Sequence, residues 1–321
     1  MVTIQEVWYG DSVSAKLVRI LLWPLSCLYA LGWQIYLLVY GLKLKRPYKA
    51  KNRVICIGNF TAGGTGKTPT TIFVAQCLRE IGLQFVIGCS GYGAPHSVGA
   101  SVAPAGALDA SEWGDEPAEL RNSLPDVQLI VGRARVEAAK LCDEQFPGYI
   151  LLMDDGFQHM PIFRDLSIIL DPDMPNRMTF PAGPYREPRS AGMKRADLFI
   201  PNGEFSQSFS NLTFSTPEGE IVPVVTKARV LTAIGRPDKF RHGLEKAGIT
   251  ILEFIALPDH DKIEVDFSTM DAEFPWIVTR KDWVKIRSHS SKSQITFVIA
   301  ERTATIEPAE EFKKWLTIKL G

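Results

Sequence analysis

The amino-acid sequence predicts an α/β fold: a mostly parallel sheet flanked by helices, a smaller α/β unit after it, and an apolar helix before it. Three observations carry that expectation. From Arg53 onward, apolar runs of strand length alternate with helical patterns, and strands separated by helices pair in parallel with both faces covered. A glycine-rich segment, Gly58 to Thr68, stands between one such strand and the helix that follows it. Ahead of all this, Ile20 to Leu42 holds no Asp, Glu, Lys or Arg.

The N-terminal segment, residues 1–50, is taken first. The uncharged run is long enough for a membrane helix. Trp23, Trp33, Tyr36 and Tyr40 are the aromatics favoured at bilayer interfaces, and Lys43, Lys45, Arg46, Lys49, Lys51 and Arg53 follow as a basic flank. That flank favours the cytoplasmic side. A cleaved signal peptide is disfavoured, because the basic cluster lies after the apolar run and no small-residue cleavage site is evident. Membrane association and a buried core helix remain as readings. Pro24, Gly32 and Gln34 weaken a clean span, so spanning and lying in the interface both stay open.

The core is expected over 51–203. Val54–Ile57, Phe85–Gly88, Val127–Val131, Tyr149–Met153, Leu166–Leu170 and Leu198–Ile200 read as buried strands. Helices are expected over Thr70–Ile81, Glu116–Ser123 and Arg133–Gln145. Residues 204–226 read as a β-rich connector with Pro217, Gly219 and Pro223 as turn signals. A second α/β series occupies 227–321: Arg229–Ile234, a helix over Pro237–Ala247, Thr250–Phe254, Trp276–Thr279, a helix from Lys281, and Ile295–Ile299. The closing helix, Ala309 to Leu320, suits either unit.

Bulk properties exclude some classes. Lys+Arg and Asp+Glu are both 36, so the formal charge is zero, which gives no support for a nucleic-acid protein. The five cysteines are scattered with no C-x-x-C. They read as free thiols in a reducing compartment, and a zinc site is not expected.

The glycine-rich segment has the context of a phosphate-binding loop. Thr61, Ala62, Gly63, Gly64, Thr65 and Gly66 would turn backbone N–H groups toward an anion, aided by the dipole of the next helix. Lys67 would reach the β- and γ-phosphates of a nucleoside triphosphate, and the Thr68 hydroxyl would hold Mg²⁺. Thr61 stands where the strict pattern has its first glycine. Asp154 and Asp155 end an apolar strand, as the Mg²⁺-binding acids of P-loop proteins do. His159 follows closely.

Three further groups are ambiguous by themselves. Asp115 opens a helix, as an N-cap or as a carboxylate working with a His. His260 lies in a turn, as a surface residue or a catalytic base. Arg186 and Glu187 sit in a proline-stiffened loop, Pro181 to Pro188. There they are plain surface groups, or Arg186 neutralises a transferring phosphoryl while Glu187 reaches the metal.

Taken together, GNFTAGGTGKTP, GDEP, DDGFQH, PAGPYREP, PDH and T-x-K-D-x-V-K (Thr279 to Lys285) occur in that order. This set resembles the tetraacyldisaccharide 4′-kinase (lipid A 4′-kinase) family from the apolar N-terminus to about Lys285. The resemblance implies a membrane-associated P-loop kinase at the cytoplasmic face of a bacterial inner membrane. It would transfer the γ-phosphate of ATP, with Mg²⁺, to the 4′-hydroxyl of a tetraacyl glucosamine disaccharide 1-phosphate, giving lipid IVA. It further implies Asp115 and His260 as the dyad accepting the sugar proton, Asp154 and Asp155 at the metal, Arg186 and Glu187 near the γ-phosphate, and His159 as a motif histidine. No protein partner is evident. Two departures stand out. Ser90 occupies the place of the family's usual Arg in S-R-G-Y, and Asp261 replaces a common aromatic. The rival reading is a membrane-tethered regulatory P-loop GTPase or ATPase. It rests on Thr279-Arg280-Lys281-Asp282, which is similar to a guanine-reading tetrapeptide.

Overall fold

The computed structural model describes residues 3–222, 225–259, 261–290 and 295–321. The chain opens with α1 (Ile4–Tyr9) and the long α2 (Val13–Gly41), then builds β1 (Val54–Asn59), α3 (Lys67–Glu80), β2 (Phe85–Cys89), β3 (Ser101–Val102), α4 (Ala110–Trp113), α5 (Asp115–Ser123), β4 (Leu129–Val131), α6 (Arg135–Gln145), β5 (Ile150–Asp154), β6 (Leu166–Leu170), α7 (Arg189–Met193) and β7 (Leu198–Ile200). It continues through β8 (Ser206–Phe209), β9 (Thr213–Ser215), β10 (Lys227–Thr232), α8 (Pro237–Lys246), β11 (Thr250–Ala256), β12 (Trp276–Val278), α9 (Arg280–Ser290), β13 (Phe297–Glu301), β14 (Ala304–Glu307) and α10 (Ala309–Leu320).

The first sheet has seven strands in the order β3-β4-β2-β5-β1-β6-β7. All its pairings are parallel except the short β3 on β4. Every residue of β1, β5 and β6 is buried, as apolar strands covered on both faces must be. The register sets Ile57 of β1 beside Asp154 of β5. The phosphate loop and the two acids therefore leave the same end of the sheet, where ligands of such sheets bind.

The second sheet has the order β11-β10-β12-β13-β9. β9, from the expected connector, is its antiparallel edge, and β8 pairs with β14. The closing helix α10 packs on the first sheet's side: Phe312 meets Phe73 of α3 at 5.9 Å between ring centroids, and Lys313 pairs with Glu80 at 2.9 Å. Between the sheets, α5 packs along α9.

The expected apolar helix forms with Pro24 inside it. It is the one helix among the described residues long and apolar enough to cross a membrane. Ala15 and Ser26 are buried against the protein, while Leu21, Leu25, Leu28, Leu31, Ile35 and Leu38 are exposed.

Candidate active site

The phosphate loop is built from the end of β1. Asn59 donates through Nδ2 to Thr65 Oγ1 at 2.9 Å, closing the loop on itself. Gly66 caps α3 with φ +81°, and a Cβ there would lie 2.7 Å from Cζ of Phe209, so glycine is required on both counts. Lys67 and Thr68 then open α3, with the helix N-terminus beneath the loop.

Asp154 is buried and accepts from two hydroxyls, Thr68 Oγ1 at 2.9 Å and Thr71 Oγ1 at 3.0 Å. Burial, reinforced by Glu116 and Asp155 and opposed by Lys67 and Thr68, pushes its carboxyl up to about 6. The next residue behaves oppositely. Asp155 Oδ2 meets Arg186 Nη1 at 2.9 Å and Lys67 Nζ at 3.4 Å. Burial alone would raise it, but Lys67, Arg186 and Arg135 together hold it well below the usual carboxylate range. Asp155 has φ +57°, a conformation that Asp tolerates better than most residues and that clusters at functional sites. Arg135 Nη2 secures it by donating to the carbonyls of Asp154 at 2.9 Å and Asp155 at 2.6 Å.

The donor set fits a hard cation held jointly with phosphate oxygens. Thr68 and the buried Asp154 offer oxygen ligands beside the loop. Among the described residues, no group of three or more His, Cys, Asp and Glu side chains would hold an ion unaided. Glu187, expected to reach the metal, is committed elsewhere: its buried carboxylate accepts from Gln158 Nε2 at 3.0 Å and pairs with Arg195. Gln158 in turn donates to the Asn59 carbonyl at 2.9 Å, so Glu187 braces the phosphate-loop strand.

Asp115 is buried at the start of α5 and faces two lysines of α9, Lys281 at 3.5 Å and Lys285 at 3.4 Å. Lys281 also pairs with Asp259 at 3.2 Å. Burial would lower Lys281, but Asp115, Asp259, Glu116 and Glu119 outweigh it and raise its pKa. His260 lies outside the described residues. Its neighbour Asp259 nevertheless shares a cation with Asp115.

An open cleft of about 430 Å³ adjoins these groups and is walled in part by Ser90, Arg133, Arg135, Asp155, His159 and Arg186. His159 is half-buried, and burial, with Arg135 and Arg164 nearby, lowers its pKa. Ser90 donates to Glu116 at 3.1 Å. Arg133 and Arg135 escaped the sequence reading. The available signal was their place directly after the apolar strand β4, at the ligand-binding end of a parallel sheet. The guanine-reading tetrapeptide is disposed of by its last residue. Asp282 is fully buried and accepts from Thr232 Oγ1, the Ala233 N–H and Thr279 Oγ1, which leaves its carboxylate turned inward.

Comparison with known proteins agrees with this geometry. The family described as Tetraacyldisaccharide-1-P 4′-kinase matches residues 18–321. The chain belongs to this family. A tetraacyldisaccharide 4′-kinase of Shewanella pealeana is 32% identical, over 99% of this chain and 97% of the relative. That of Shewanella sediminis is 33% identical over 90% and 92%, and that of Geobacter sulfurreducens 30% over 92% of each. The fold matches the crystal structure of LpxK from Aquifex aeolicus in complex with ATP, with a TM-score of 0.77 over 94% of this chain and 99% of that one, at 24% identity. Family membership agrees with the resemblance carried by the motifs, and the mostly parallel sheet agrees with the expected architecture.

Proposed function

We propose that this chain transfers the γ-phosphate of ATP to the 4′-hydroxyl of a tetraacyl glucosamine disaccharide 1-phosphate. The observation that carries the reading is the convergence of Lys67 and Arg186 on one oxygen of Asp155, beside the Thr68–Asp154 pair and at the mouth of a cationic cleft. Phosphoryl transfer needs alignment and charge neutralisation more than covalent chemistry. Lys67 and Arg186 would move from Asp155 to the more highly charged phosphate oxygens. Thr68 and Asp154 would hold Mg²⁺, which would supply charge neutralisation to the nucleotide's phosphates. Arg133, in the cleft beside Ser90, supplies a cation for the acceptor's phosphate where the family's usual Arg is missing.

For the proton, the reading keeps the dyad of Asp115 and His260. Lys281, shared between Asp115 and Asp259, would hold the residue before His260 close to the carboxylate that orients it. Residues 51–203 would act as the kinase core and 227–321 as a smaller unit carrying His260. An acylated acceptor stays in its bilayer, so the enzyme must work at a membrane surface. Hydrogen bonds tie α2 to the protein along one face, at Ser26 and Tyr29. This favours a helix lying in the interface, at the cytoplasmic face where ATP is, over one that crosses.

The test offers radiolabelled ATP or GTP with and without the acylated disaccharide 1-phosphate. Label passing from ATP into the lipid is expected. GTP-selective binding with an unlabelled lipid would favour the regulatory switch and sink the kinase reading.

A further inference from the structure

Two residues of the candidate site have both their backbone N–H and their carbonyl fastened, and each carbonyl is held from the N-terminal helices. Ala62 of the phosphate loop donates its N–H to the Pro184 carbonyl at 2.8 Å, and its own carbonyl accepts from the Tyr9 hydroxyl of α1 at 2.9 Å. Arg186 donates its N–H to the Phe60 carbonyl at 2.7 Å, and its carbonyl accepts from the Tyr29 hydroxyl of α2 at 2.6 Å. Trp33 Nε1 donates to that same hydroxyl at 2.9 Å, fixing its direction.

The loop between these points is held likewise. Ser26 Oγ donates to the Thr179 carbonyl and accepts the Ala182 N–H, both at 2.9 Å, while Thr179 Oγ1 donates back to the Ser26 carbonyl at 3.0 Å. Trp8 stacks on Phe180 at 5.2 Å and donates to the Pro181 carbonyl at 3.0 Å. A helix that only anchored the chain in lipid would present apolar groups and gain nothing from such directed polar contacts. Hydrogen bonds of this kind specify position, because a shifted partner leaves a shielded polar group unpaired.

We infer that α1 and α2 belong to the phosphate-transfer scaffold, with Tyr9 and Tyr29 as positioning residues for the phosphate loop and for Arg186. The inference rests on the kinase reading for its turnover arm only. Seating the helices in a membrane then bears directly on the geometry of the nucleotide site, since anchor and site share hydrogen bonds.

Tyr9→Phe and Tyr29→Phe remove only the hydroxyls. The full chain carrying each would be assayed in mixed micelles at saturating ATP and lipid, with melting temperature and co-sedimentation with phosphatidylglycerol-containing vesicles as controls. Each variant should lose about three- to tenfold in kcat, the weight of one hydrogen bond, with vesicle binding unchanged. In an Arg186→Ala background, Tyr29→Phe should have no further effect, because its route is gone, whereas Tyr9→Phe should still act. Tyr9→Phe should also weaken binding of a fluorescent ATP analogue about threefold or more. That arm needs no acceptor, so it stands apart from any failure of the kinase reading. Unchanged kcat with unchanged analogue affinity, or a Tyr29→Phe effect that persists in full without Arg186, overturns the inference.

Discussion

Asp154 and Asp155 are adjacent in sequence and electrostatically opposite. One is raised to about 6 among hydroxyls and neighbouring acids, and the other is held low by three cations. Their partners differ accordingly, Asp154 accepting from the Thr68 and Thr71 hydroxyls and Asp155 pairing with Arg186 and Lys67, which their spelling as a pair did not reveal. Asp154→Asn should reduce lipid phosphorylation by about a hundredfold and raise the Mg²⁺ concentration needed for half-maximal rate. A Mg²⁺ titration of the variant checks it, and an unaltered requirement would move the metal away from Asp154. A second carboxyl should make stability depend on pH. Burial pushes Glu119 on α5 up to about 8 from 4.5, with Lys281 opposing and Asp115, Glu116 and Asp154 reinforcing. A folded-state pKa above the unfolded one contributes stability below about pH 4.5 that is lost as pH rises through about 8. Glu119→Gln should flatten that part of the stability profile, so the melting temperature of the variant gains on the parent between those pH values. Parallel profiles would remove Glu119 from the account.

At the scale of elements, legibility followed self-sufficiency. β6, β7 and α10 have the residue limits that the sequence predicts, because each is an apolar run or stripe bounded by turn signals. β8 is polar and mostly exposed, and β14 alternates buried Ala304 and Ile306 with Thr305 and Glu307 over only four residues, too short a pattern to stand out. The six-residue α1 was missed although Thr3 and Glu6 form a capping box at its start, a signal that was there to be read. The motif letters marked Lys67, Thr68 and Arg186 because their chemistry is local. Tyr29 and Arg186 lie 157 positions apart, so only the folded chain joins them. α2 itself was legible as apolar, and the exposure of Leu28 and Leu31 shows which side is unpartnered by protein. Leu28→Gln with Leu31→Gln should cut partitioning into vesicles roughly tenfold per leucine, from about 1.5 kcal/mol of lost apolar burial each. Co-sedimentation reads this directly, and undiminished binding would assign the membrane contact to another surface.

Among the described residues, the chain connects the two larger sheets at both ends of the second, and β8 and β14 pair as a separate two-stranded ribbon. The chain leaves the first sheet after β7, and it returns through β14, pairing with β8, to seat α10 on α3. Between the two larger sheets, α5 packs along α9. That contact is charged. Asp115 of α5 faces Lys281 and Lys285, which lie one turn apart on α9. Lys281 is the member that also reaches Asp259, so it links the carboxylate on one sheet to the turn carried by the other. Lys281→Met leaves Lys285 to neutralise Asp115 and should preserve the fold. If Lys281 sets the approach of that turn, kcat should fall about ten- to a hundredfold, within the range of one proton-transfer group displaced from its partner. The KM for ATP should not change, because the phosphate loop is untouched. Asp115→Asn combined with Lys281→Met should be no slower than Asp115→Asn alone, since both act on one proton path. Steady-state kinetics on the four proteins of that cycle decides the matter. Multiplying losses would mean that Lys281 serves the reaction by a route that does not pass through Asp115.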